Sequence, residues 1–184
     1  MSKETLLIGV SHTLRHYNDV IEALEQEKVN GKKVMLEIHK YPFTGKFLDK
    51  ESKAFYSDMA RYIISRGGNI ISGDNHDLVQ NARTAQIMLC SLLNHVSMPL
   101  PTKKQLLKQQ ASIVSIIERD PYFLNILEKE EPDIVILGAA HIPFLAEWGF
   151  RKKNSYKEIY IPKSCCFRSY VYYTLRTDLN SELI

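Results

Sequence analysis

The stretch DIVILGAAH, Asp133 to His141, sets four aliphatic residues in a row, follows them with Gly138, and places a histidine three positions further on. An apolar run of this kind, bounded by Pro132 and a glycine, reads as a strand buried on both faces, the type found inside parallel sheets. The opening of the chain repeats the pattern as TLLIGVSH, Thr5 to His12. Glycine at the end of a strand lets the backbone turn or come close to a ligand, and a histidine just beyond it sits where open α/β sheets gather their chemistry. Two Gly-x-x-His units invite one explanation: two parallel strands that end at the same edge of one sheet.

The segments between the two units support that reading. After the strand Thr5 to Val10, the residues Tyr17, Val20, Ile21 and Leu24 recur at helical spacing and Gly31 follows as a stop. VMLEI, Val34 to Ile38, is a second strand, followed by the irregular HKYPFTGKF. Phe55, Met59, Tyr62 and Ile63 mark a helix that ends at Gly67-Gly68, and Asn69 to Ser72 is a third strand. From Asp77 to about Val96 the pattern is again helical, with Leu78, Ala82, Ala85, Met88, Leu89 and Leu92 on its inward face. A further helix or helix pair carries Leu106, Leu107, Ile113, Ile116 and Ile117 and continues through Leu127. Tyr156 to Pro162 and Ser169 to Thr177 are tyrosine-rich peripheral strands. Strands alternating with helices predict an α/β fold, a central mainly parallel sheet flanked by helices. The whole of 1–184 reads as one such domain.

Composition narrows the function. The 184 residues are 45% hydrophobic, enough for one well-buried core. The charges, 24 basic against 21 acidic for a net +3, are interspersed, so no nucleic-acid partner is expected. Three cysteines, two of them the adjacent Cys165 and Cys166, suit a reducing, cytoplasmic setting. No signal peptide and no membrane span are expected.

The strand ends carry the polar chemistry. The first delivers Ser11 and His12, the second Glu37 and His39, the third Asp74, Asn75 and His76, and the late strand His141. Two imidazoles and a carboxylate can hold a divalent metal while leaving positions open for water or substrate. Glu37 interrupts an apolar strand, where a carboxylate is costly unless it has a partner. Arg119 is the natural partner, either as a bidentate ion pair or as a cation facing negative charge on a substrate; both roles stay open. His39, His76 and His95 read as structural. His12 and His16 have the spacing of an HExxH zinc helix, but Thr13 stands where the glutamate belongs. There is no Walker loop, GxGxxG or GxSxG elbow.

GVSH at Gly9 to His12, LEI around Glu37, ERD around Arg119 and LGAAH ending at His141 together resemble the TraB/PrgY and Tiki family, in the broader group that contains erythromycin esterase and ChaN. The resemblance covers about the first 150 residues. Asp74 followed by Arg83 is similar to a further family stretch, although Asn75 replaces the arginine often found beside the aspartate. The resemblance implies an EreA/ChaN-like (Tiki/TraB) architecture with a site built from His12, Glu37, Arg119 and His141. It further implies a metal-dependent hydrolase, peptidase- or esterase-like, in which His12, Glu37 and His141 hold manganese, cobalt or zinc. The partner expected is a peptide or small-molecule substrate, and a homo-oligomer is compatible. The alternatives are a binding protein for peptide or haem on the same fold, and an assembly module using the aromatic stretch Tyr156 to Tyr173.

Overall fold

The structure, a computed structural model, describes residues 4–11, 13–40, 50–95, 119–151 and 155–161 together with positions 97, 99 and 102. His12, the helical stretch Leu106 to Ile117, the strand Ser169 to Thr177 and the cysteines Cys165 and Cys166 lie outside the described residues.

Five strands form one sheet: β1 (Glu4–Val10), β2 (Lys33–Leu36), β3 (Asn69–Ser72), β4 (Ile134–Gly138) and β5 (Ser155–Ile161), in the order β3-β2-β4-β1-β5. Every pairing is parallel. The helices are α1 (Tyr17–Gln26), entered through a 3-10 turn at Leu14–His16, then α2 (Lys50–Ser65), α3 (His76–Asn94), α4 described over 119–130, and α5 (Ile142–Arg151).

Alternation along the strands splits the core in two. Leu6, Ile8 and Val10 of β1, Val34 and Leu36 of β2, and Ile134 and Ile136 of β4 pack with Val20 and Leu24 of α1 and Phe55, Met59 and Ile63 of α2. Leu7, Met35, Val135 and Leu137 point the other way, onto Phe123, Leu124 and Leu127 of α4 and Ile142 and Leu145 of α5. Side chains of period two buried on both faces are the reason these strands are continuous apolar runs instead of alternating ones.

The two Gly-x-x-His segments leave neighbouring strands. β1 pairs with β4 so that Val10 lies opposite Gly138, and Ala139 N–H donates to Val10 O at 3.1 Å. A Cβ on Gly9 would lie 2.9 Å from Ile142 Cγ1 and 3.0 Å from both Ala139 Cα and Tyr160 Cδ1. Glycine is needed here because the first turn of α5 and a β5 ring close directly onto the β1 backbone.

Two expectations need correction. VMLEI does not run as strand to Ile38: β2 stops at Leu36, because Ile38 N–H turns back to Leu36 O at 2.7 Å, and Glu37 begins the loop. Met88 and Leu92, assigned to the inward face of α3, are exposed to 62% and 65%, as is Ile87 to 62%. Ile87, Met88 and Leu89 are consecutive, and successive helical residues diverge by about 100°, so spacing alone could not choose which of them faces in.

Candidate functional site

Glu37 after β2, Asp74 after β3 and His141 after β4 are buried together at the carboxyl edge of the sheet, facing Arg119 and Asp120 of α4. Arg119 spans two loops. Its Nε donates to Asp74 Oδ1 at 3.1 Å, and its Nη2 donates to Asp74 Oδ2 and to Glu37 Oε1, both at 2.5 Å. The other Glu37 oxygen, Oε2, accepts from Gly138 N–H at 2.6 Å and from the Tyr56 hydroxyl of α2 at 3.4 Å. Glu37 therefore ties the end of β2 to the end of β4 and to a helix on the opposite face of the sheet.

His141 makes a separate pair. Its Nδ1 lies 2.6 Å from Asp120 Oδ1, and its Nε2 lies 3.9 Å from Glu37 Oε1, beyond hydrogen-bonding reach. A carboxylate can only accept, so Nδ1 is the donor in this pair. Phe123, one helical turn beyond Arg119 and Asp120, fixes both groups: its ring meets the His141 ring edge-to-face at 4.9 Å, and the Arg119 guanidinium lies 5.1 Å from its centroid.

Two carboxylates share one guanidinium here. Burial, and then the charge of Glu37, push the Asp74 carboxyl above its ordinary range, although Arg119 pulls it down. Burial works against the Arg119 charge, yet Glu37 and Asp74 outweigh it and hold the guanidinium protonated more firmly than usual. The Tyr56 hydroxyl is raised well above its ordinary value by burial first and by Glu37 second. Arg119 makes the ion pair with Glu37 that the sequence suggested, and a second one with Asp74.

Of the residues expected in the site, the structure brings together Glu37, Arg119 and His141; His12 lies outside the described residues. His39 and His76 face each other, with ring centroids 5.6 Å apart. His39 is exposed, accepts from the His76 backbone N–H through Nδ1 at 3.3 Å, and so holds the start of α3. Asp120 and Tyr56 were not read as site residues. Tyr56 could have been found, since Ser52, Tyr56, Met59 and Ile63 repeat along one face of α2 and are all buried. Asp120 stands in the ERD stretch that carries the resemblance, but nothing in its own pattern marked it as buried.

Among the described residues no group of three or more His, Cys, Asp or Glu side chains is arranged to hold a metal ion. The donors are turned elsewhere: Glu37 Oε1 and both Asp74 oxygens to Arg119, Asp120 to His141. A guanidinium 2.5 Å from Glu37 Oε1 would repel a divalent cation on that oxygen. The described residues by themselves do not fit a metal.

Comparisons of the chain with protein-family models, with curated proteins and with solved structures give no match. Among the described residues no helix is long and apolar enough to cross a membrane.

Proposed function

We propose that the protein is a cytoplasmic hydrolase of peptides or esters, of the TraB/Tiki type, that activates water with His141. The observation carrying this reading is the buried pair His141–Asp120, with Nδ1 bonded at 2.6 Å and Nε2 left toward Glu37. An imidazole held in one tautomer by a buried carboxylate is the arrangement of a general base. Nε2 takes a proton from water as the oxygen attacks a carbonyl carbon, and the same proton goes to the leaving oxygen or nitrogen when the tetrahedral intermediate collapses. Asp120 steadies the imidazolium formed in between. Arg119, committed to Glu37 and Asp74, positions Glu37 beside the imidazole.

The resemblance adds a divalent metal held by His12, Glu37 and His141. No step above depends on it, and assays with chelator and with added manganese, cobalt or zinc separate the two versions. Turnover of a panel of p-nitrophenyl esters and short peptides tests the reading. Wild-type protein should hydrolyse at least one class; His141→Ala should be inactive; Asp120→Asn should lose about 10²- to 10⁴-fold in kcat while keeping its circular dichroism, because the tautomer is no longer imposed. Ligand capture without turnover on any substrate would favour the binding-protein alternative, and full activity in His141→Ala would refute the base.

A further inference from the structure

β2 ends while its neighbour β4 continues. Leu36 lies opposite Ile136 in their parallel ladder, and Glu37 N–H donates to Ile136 O at 3.2 Å. Rungs of a parallel pair are evenly spaced, so a further one would run from Gly138 N–H to the backbone carbonyl of Glu37. The chain turns away at that point, with Ile38 N–H closing on Leu36 O at 2.7 Å. The side chain of Glu37 meets Gly138 N–H in its place, Oε2 accepting at 2.6 Å. A charged acceptor makes this a stronger rung than a carbonyl would. Glu37 thus carries the ladder one step past the end of its own strand.

The turn that hangs from this rung carries the imidazole. Gly138 O accepts from His141 N–H at 2.9 Å, and Ala139 N–H is tied to Val10 O at 3.1 Å. The carboxylate is fixed in its turn, by Arg119 Nη2 on Oε1 at 2.5 Å and by the Tyr56 hydroxyl as a second donor to Oε2 at 3.4 Å. Two donors take up both lone pairs of Oε2, and the guanidinium on Oε1 opposes a cation there. We infer that Glu37 is a positioning residue: its carboxylate is the last rung between β2 and β4 and sets His141 through Gly138, and it neither holds a metal nor takes a proton from water. This role rests on the reading of His141 as the base.

Glu37→Leu removes the rung, Glu37→Gln keeps an oxygen for Gly138 but removes the charge, and Arg119 retains Asp74 in both. Amide hydrogen exchange read by NMR should show Gly138 and His141 N–H exchanging about tenfold or more faster in Glu37→Leu than in wild type. On an ester or peptide that the wild type hydrolyses, Glu37→Leu should lose about 10²-fold in kcat with KM unchanged, because the imidazole is displaced while the substrate contacts are not. Calorimetric titration with manganese, cobalt and zinc should give the same result for Glu37→Gln as for wild type. Where Glu37→Leu does not fold, Glu37→Gln tests the same bond: the Gly138 amide proton, drawn downfield by a charged acceptor, should move upfield when that acceptor becomes neutral. Wild-type exchange at Gly138 in Glu37→Leu, or an unmoved Gly138 proton in Glu37→Gln, overturns the rung. Faster exchange with wild-type kcat overturns the positioning role, and a metal bound by wild type but lost in Glu37→Gln makes Glu37 a ligand instead. A wild type inactive on every substrate overturns the hydrolase reading alone, since the exchange rates decide the rung without turnover.

Discussion

Arg119 holds Glu37 and Asp74 with two of its nitrogens, and all three side chains are buried. Arg119→Ala leaves two buried carboxylates without that cation and should destabilise by about 3–5 kcal/mol in urea melts. Arg119→Lys keeps a positive charge but cannot span both partners, so it should fall between wild type and alanine, with turnover lost in both variants. Asp74 adds a pH signature. Its folded pKa is raised above the ordinary 3.8, so its contribution to stability is fully present below that value and is lost as pH rises through the folded pKa. Urea melts at a series of pH values should therefore show the advantage of wild type over Asp74→Asn shrinking as pH rises from below 3.8. An advantage that grows over that window would mean that the arginine, not burial, governs Asp74. Glu37 and Arg119 were legible in the sequence because a carboxylate inside an apolar run demands a partner. Asp120 was not, since nothing in a linear pattern distinguishes a buried aspartate from a solvated one beside it.

At the scale of elements, the site depends on how closely β1, β4, β5 and α5 come together around Gly9. Gly9→Ala would press its Cβ against the Ala139 backbone as well as two side chains, and backbone cannot swing aside. We expect a loss of about 1–3 kcal/mol, measured by urea denaturation, and lower turnover, since a shift of Ala139 moves His141. A stable and fully active Gly9→Ala variant would show that the glycine serves the turn alone. The strands themselves were readable to within a residue or two: Asn69–Ser72 as expected, Glu4–Val10 one residue longer at its start, and Ile134–Gly138 shifted by one residue from the expected Asp133 to Leu137. β2 was read too long because its apolar pattern continues to Ile38, while the hydrogen bond that turns the chain at Glu37 has no sequence signature. α3 was misread on one side for the opposite reason, an excess of apolar residues around the helix.

At the scale of the molecule, strand order explains why distant motifs meet. β4 is inserted between β1 and β2, so the loops after residues 10, 36 and 138 open side by side although they are far apart in the chain. The sequence indicated a parallel sheet and a shared edge, because twin Gly-x-x-His ends need one. The order of strands was beyond its reach, since it follows from which helices cover which face. The central claim, that His141 is a base poised by Asp120, is tested most directly by ¹⁵N NMR of histidine side chains in protein carrying ¹⁵N-labelled histidine. Among the six histidines, His141, assigned by its loss in His141→Ala, should show a protonated Nδ1 and a bare Nε2, and this pattern should collapse in Asp120→Asn. A His141 protonated on Nε2, or one whose signals are unchanged by Asp120→Asn, would contradict it.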